Sequence, residues 1–418
     1  MQQRINQLES MQYRQNAAIN HVNVKTQQTD FTSKDLLKTN TKHSDMFNNL
    51  QNDVTGKALR QLEMQRDGTL TSNGVYWGGV LKGSFMGEWT DTEDKFAILS
   101  RFPGQHSGSS GSRFVINQAT LSATAAMHDW VTGTMQLEYT ETEYPGQSDL
   151  NMRKAFVTVG NLKESPWYAS FGRNTIDFGN MDSYNPFTHT TTNHYFHAQS
   201  TDPTLAIGYA NYGWHVVATA INGGRQQRVA HHEDSNHVKN FALKAEKAFT
   251  LGEKSMLQVG ASYLHSSIYN SVTPHHTATD IAAADDQVHR NGIWNVFAEM
   301  QLQNWMFMVE FTRTLRDWPA VDEPVWALTA QAEYFFDNWG RPASVSFVYG
   351  HGDQGRSGDE WEFMRQVILG YETQVNSNFY LGAEYVHNHG FAPLINITQT
   401  SDQSVDNHSL ILGGRFVF

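Results

Sequence analysis

From Val75 to the last residue the sequence is written with a period of two, apolar side chains falling on one face and polar or charged ones on the other. Between Val75 and Trp89 the first set is Val75, Trp77, Leu81, Phe85 and Trp89, whereas Lys82, Ser84 and Glu88 fall opposite. The same two-faced pattern runs through Val131, Gly133, Met135, Leu137 and Tyr139 against Thr132, Thr134, Gln136 and Glu138. It returns in Trp326, Leu328, Ala330, Ala332 and Tyr334 against Thr329, Gln331 and Glu333. A helix cannot present such a face, so the repetition confines the chain to sheet. A strand buried on both sides would not tolerate a row of unpaired charges, but one lying between lipid and a wet lumen does. Trp77 and Trp89 lie roughly 40 Å apart along one strand, or roughly 30 Å across a membrane at a tilt of about 40°, which suits two interfacial aromatic girdles.

About sixteen such segments follow one another, over 75–89, 112–126, 129–141, 152–162, 166–174, 203–211, 213–221, 239–249, 255–266, 291–303, 305–315, 324–336, 342–350, 362–374, 377–388 and 405–418. The even count and the alternation of short with long connections predict an all-β, transmembrane antiparallel β-barrel, its short turns periplasmic and its long loops outside. A soluble all-β propeller or sandwich is the alternative, but it does not place Trp-bounded apolar stripes opposite charged ones on every strand. The closing stretch VDNHSLILGGRFVF puts Leu410, Leu412, Gly414, Phe416 and Phe418 on one face. Its terminal Phe418 resembles the signal by which bacterial outer-membrane barrels are assembled, which makes the assembly machinery an expected partner.

The 418 residues carry a net charge of −12 and no cysteine. With no basic field to neutralise phosphates, a nucleic-acid partner is disfavoured. Disulfides, thiolate metal sites and thiol nucleophiles are excluded. No run of about 18 apolar residues exists, so no helix can span a bilayer, which leaves a barrel untouched.

Residues 1–66 differ in kind from the barrel at 67–418, being rich in Gln, Asn, Thr and Lys. Their start lacks the apolar core of a secretion signal and reads as a mature chain. Ile5, Leu8 and Met11 hint at a short seam, and Phe47, Leu50, Val54, Ala58 and Leu62 make a clearer helical stripe, with Ser44 and Asp45 as its caps. Two readings fit: a short periplasmic coiled coil that would join copies into a homo-oligomer, or a largely disordered tether.

The stretch FGRNTIDFGNMDSYNPFTHTTTNHYFHAQSTDPTLAIGY with WHVVATAINGG, and later VWALTAQAEYFFDNWGRPASVSFVYGHGD with LGAEYVHNHGF, resembles the LbtU-type siderophore porins, legiobactin-receptor-like barrels. That resemblance implies a barrel of about 16 strands that takes up a ferric siderophore without a plug domain. The polar segment before the barrel agrees, being too short for a globular plug.

Candidate chemistry falls on the inward face and in the loops. Expected pore-lining residues are Lys82, Glu88, Glu138, Glu246, Glu299, Glu310, Glu333, Glu372, Glu384 and Arg415. The excess of carboxylates favours cations or neutral polar solutes, or else is a hydrated wall of ion pairs. It sits awkwardly with a polycarboxylate siderophore. Histidine is frequent in the predicted loops, and His231, His232, Glu233, Asp234 and His237 could present metal ligands from one loop. The same composition also occurs in loops with no metal role. His265, Ser266 and Ser267 are adjacent at a rim, but no orienting carboxylate is aligned with them, and neighbours on a strand point to opposite faces. The Gly104 to Gly111 segment precedes a strand and is no phosphate cradle. The sequence therefore points to an outer-membrane channel or receptor for a small solute, a ferric siderophore first among candidates, with no enzyme activity and no cofactor. A general or nutrient-selective porin is the second reading, and an adhesin or structural barrel the third.

Overall fold

A computed structural model describes residues 37–51, 54–99, 106–142, 150–198, 202–222, 238–270, 290–319, 322–354, 363–390 and 405–418. A short strand β1 (Leu37–Thr39) leads into two helices, α1 (Thr41–Asn48) and α2 (Lys57–Asp67). The barrel strands follow in order: β2 (Gly74–Thr90), β3 (Ser110–Met127), β4 (Val131–Tyr139), β5 (Asn151–Gly160), β6 (Trp167–Arg173), β7 (Thr204–Asn211), β8 (Trp214–Asn222) and β9 (Val238–Gly252). The second half comprises β10 (Ser255–Leu264), β11 (Ile293–Leu302), β12 (Trp305–Thr314), β13 (Trp326–Asp337), β14 (Pro342–Asp353), β15 (Phe363–Asn376), β16 (Phe379–Gly390) and β17 (Val405–Val417). One further helix, α3 (Thr191–Phe196), lies in the connection between β6 and β7.

Strands β2 to β17 pair antiparallel, each with its chain neighbour, and β17 returns to β2, so the sheet closes on sixteen strands without a free edge. Pairing at the seam runs from Asn407 opposite Thr90 to Val417 opposite Val80. Beyond it the Phe418 amide donates to Gly79 O and the Gly79 amide to Phe418 O, at 3.1 and 2.9 Å. The first turn of β2 would then be left unpaired. Strand β1 covers it, running parallel with Leu37 opposite Val75 and Thr39 opposite Trp77.

Every strand keeps the faces that the sequence dictates. Leu81, Trp89, Met135, Val157, Phe171, Phe347, Leu412 and Phe416 are exposed outward, while Lys82, Thr134, Thr158, Val348 and Ile411 are buried inward. Trp130, Trp167, Trp214 and Trp305 are exposed beside the short turns, and Trp89 is exposed at the opposite rim, where Trp294 and Trp326 also stand. Such paired aromatic levels suit the two interfaces of a bilayer.

The interior is a packed core and not an open tube. Met86, Phe96, Ile98, Leu99, Phe187, Val348, Ile368 and Ile411 form one inward apolar cluster, and Ile176, Phe178, Tyr195, Phe196, Tyr269 and Trp318 belong to another. Two insertions enter the lumen: the amino-terminal segment, which gives Val54 to the second cluster, and the connection after β6, which gives Phe187 to the first and Ile176, Phe178, Tyr195 and Phe196 to the second.

The first insertion is the amino-terminal segment. Helices α1 and α2 lie within the lumen at the short-turn end, against β2, β3, β5 and β17. The apolar stripe is buried against the barrel wall: Phe47, Ala58 and Leu62 pack with Phe156, Tyr168 and Ala210. The helix is also broken in two. Asn40, not Ser44 or Asp45, caps α1 by accepting from the His43 amide, and Gly56 at φ +71° opens α2. The described part of the segment 37–67 therefore docks inside the barrel as a small plug. Ile5, Leu8 and Met11 lie outside the described residues.

The second insertion is the connection 174–203 after β6, whose described part crosses the lumen to the opposite wall. There α3 packs on β12, β13, β14 and β15. Inward glycines make the groove for it: a Cβ at Gly350 would strike Thr191, one at Gly352 would strike Tyr195, and one at Gly413 would lie 2.8 Å from Phe187 Cζ.

Candidate functional site

An irregular segment can run through a lumen only if its amide groups find partners there. The wall carboxylates supply them. Glu310 on β12 accepts from the amides of Asn180 at 2.7 Å and Met181 at 3.1 Å, and Asn295 donates to it from β11 at 2.9 Å. Glu384 on β16 accepts from the amides of Phe187 at 2.5 Å and Thr188 at 3.1 Å. Glu299 on β11 accepts from the Tyr184 hydroxyl at 3.0 Å and from the Asn180 side chain at 3.2 Å. Near the other rim Glu88 gathers the amides of Ala97, Ile98 and Leu99, at 2.8, 3.1 and 2.7 Å, and folds the connection after β2 inward. These hydrogen bonds to charged acceptors are each about twice as strong as neutral ones.

The plug is fixed in the same manner. Lys82 donates to the side chains of Gln51 and Asn49 and, at 2.8 Å, to Pro186 O, so it joins the two insertions. Arg415 on the closing strand pairs with Asp45 of α1 and, at 2.8 Å, with Glu372 of β15. Gln61 on α2 bonds the Thr132, Thr134 and Thr158 hydroxyls. Asp177 and Asp182 of the second insertion accept the Gly56 and Val54 amides at 2.6 and 2.9 Å, so each insertion braces the other.

The expected pore-lining residues thus share the interior but not one role. Glu138 faces Arg153 at 3.5 Å, and Glu246 pairs with Lys244 at 3.0 Å and with His215 at 2.8 Å. Glu333 and Glu372, with Asp45, Tyr184, Tyr380 and Arg415, line a remaining cavity of about 70 Å³ at the short-turn end. Of the eight glutamates expected to set up a field in open water, Glu88, Glu310 and Glu384 bind backbone amides, while Glu138, Glu246, Glu299 and Glu372 meet side chains. Sequence reasoning missed Asp45, Asn49 and Gln51, because their partners come from strands distant in the chain. A usable signal was present in the inward glycines at 350, 352, 370, 382 and 413, which a merely water-filled lumen does not need.

The loop cluster His231, His232, Glu233, Asp234 and His237 lies outside the described residues, as do His275, His276 and His289. Among the described residues no group of three or more metal-ligating side chains is gathered. His189 and His194 meet edge to face at 6.4 Å beside α3. His265 contacts Tyr263 and Arg290, whereas Ser266 and Ser267, also beyond the end of β10, are buried, so imidazole and hydroxyls are parted.

The closed antiparallel sheet decides the architecture. It is a closed sixteen-stranded antiparallel barrel with the fold of the porins. Solved structures with this fold include OprB of Pseudomonas putida (TM-score 0.55, 11% identity, covering 81% of this chain and 94% of that one). The anion-selective porin of Comamonas acidovorans aligns with TM-score 0.53 and 10% identity over 82% of this chain and 99% of its own. OmpF of Salmonella typhi, in complex with daunomycin, gives TM-score 0.53 and 14% identity over 82% and 97%. Likeness at this identity concerns the fold alone. In sequence, a family described as a protein of unknown function (DUF3573) matches residues 69–234. A UPF0422 protein of Coxiella burnetii (strain RSA 493 / Nine Mile phase I) is 23% identical over 295 residues, covering 68% of this chain and 62% of the relative. The chain therefore matches less than two thirds of that relative's length.

Proposed function

We propose that the protein is an outer-membrane channel for a small polar solute, with its own amino-terminal segment as the gate. The observation that carries this reading is the way the plug is held. Between β1, which pairs with the start of β2, and β2 itself, helices α1 and α2 are joined to the wall by side chains such as Asp45 to Arg415 and Gln61 to Thr132, so they can leave the lumen without opening the barrel. The orientation is part of the proposal: long connections outside, short turns and the plug toward the periplasm.

A ferric siderophore is the finer reading, carried by the family resemblance. Ligand sites for molecules of that size occupy about 300–1,000 Å³. The cavity of about 70 Å³ beside the plug is far smaller, so its passage requires the plug to move. Conductance in planar bilayers tests both levels. The full chain should open in discrete events, and Asp45→Ala should lengthen them. An opening pattern identical in wild type and variant would overturn the gate. A current altered by ferric siderophores and untouched by iron-free ones supports the finer reading, and indifference to both removes it.

A further inference from the structure

A second cavity, of about 10 Å³, lies where the plug, the wall and the second insertion meet. Lys57 of α2, Arg153 and Lys154 of β5, and His189, Asn193 and His197 of the connection after β6 all line it. Strand alternation alone would send one of the two β5 cations to the lipid face. A β-bulge prevents this. Gln136 of β4 stands opposite Lys154 and Leu137 opposite Met152, so Arg153 is the extra residue and both cations are buried.

Among the described residues the lining of this cavity includes two lysines and an arginine but no carboxylate. Arg153 meets Glu138 at 3.5 Å, and Lys57 donates to Met46 O at 3.0 Å. Lys154 differs from both. It is 3% exposed, and its ammonium makes no hydrogen bond or ion pair. It stands over the Phe47 ring at 5.8 Å, with the Lys57 ammonium over the same ring at 5.6 Å.

A buried ammonium is costly without a counter-charge, and two beside one ring repel each other. The space left is about that of one water molecule. Size thus restricts the occupant to a single heavy atom, and the surrounding cations select its sign. A carboxylate or a phosphate carries further atoms for which there is no room, and a water brings no charge. We propose that this cavity binds one small monovalent anion of the size of chloride, held by Lys154 of the wall and Lys57 of the plug, and that the bound anion locks the plug in the lumen. The site requires only the docked segment, so it stands whether or not that segment is a gate.

The test is hydrogen exchange of the folded full chain in detergent, resolved over α2, in the sodium salts of chloride, bromide, gluconate and sulfate at equal ionic strength. Chloride or bromide at about 100 mM should slow exchange by about tenfold relative to gluconate, the ratio expected for a Kd of about 10 mM. Lys154→Met should lose that slowing, whereas Lys247→Met, which removes an ammonium beside Trp214 on the outer wall, should keep it. Heat-modifiable migration confirms that each variant is folded. Equal exchange in all four salts, or slowing retained in Lys154→Met, would overturn the site. Sulfate acting as strongly as chloride would overturn a single-atom occupant. A second measurement needs no variant: crystals of the wild type grown in bromide should show an anomalous peak in the cavity beside Lys154, and its absence would overturn the proposal.

Discussion

Arg415, three residues before Phe418, pairs with Asp45 of α1, so the strand that closes the barrel also holds the segment that fills it. Glu372 shares the guanidinium, which gives the two substitutions different consequences. Asp45→Ala leaves Arg415 a partner, and the amides of α1 and α2 should exchange faster while barrel melting is kept. Arg415→Ala leaves two carboxylates facing each other and should be the more damaging, by about 3 kcal/mol. Hydrogen exchange resolved by segment separates them, and equal effects would refute the latch.

Glu310 and Glu384 anchor the second insertion through four amides, those of Asn180, Met181 and Phe187, which are buried, and that of Thr188, which is half-buried. Glu310→Ala strands two donors at about 1–3 kcal/mol each. Protease cleavage within 174–198 should therefore rise in Glu310→Ala and Glu384→Ala. Resistance equal to wild type would mean that packing alone holds the insertion.

His43 on α1 is buried between Phe47 and Tyr76. Burial foremost, and then the nearby Lys57 ammonium, lower its pKa from 6.5 to about 4. The docked segment therefore disfavours the proton. Its docking is at full strength above pH 6.5 and weakens as pH falls toward 4, by on the order of 3 kcal/mol. Asp45, whose pKa burial raises, acts in the opposite sense at the acid end. Channel opening should increase between pH 6 and about pH 4, and His43→Phe should remove most of that dependence. An unchanged profile in the variant would assign the effect elsewhere.

Selectivity should be set where water remains. Glu299 and Glu310 are tied to the insertion, whereas Asp45, Glu333 and Glu372 line the residual cavity with Arg415. Reversal potentials under a salt gradient should favour cations and weaken as the screening length falls below about 10 Å. Glu333→Gln should reduce the preference. Anion selectivity at low salt would contradict this assignment and favour an anionic ligand.

Phe418 completes the seam through its two backbone hydrogen bonds with Gly79. Its deletion should lower the folded, heat-modifiable fraction in membranes more than Val405→Ala does. Comparable yields would mean that the seam closes without these two bonds.

The sixteen strands, their facing and the short turns were legible in the sequence because they depend on a period of two residues and on local turn chemistry. Trp77 and Trp89 face lipid, and Lys82 and Glu88 face inward, wherever else the chain goes. What fills the barrel was decided by tertiary structure. Glu384 meets Phe187 across 197 residues and Arg415 meets Asp45 across 370, and no local pattern encodes such pairs. The same inward carboxylate can line water or bind a backbone amide. The alternation fixes only its direction, and the choice depends on which distant segment the closed barrel encloses.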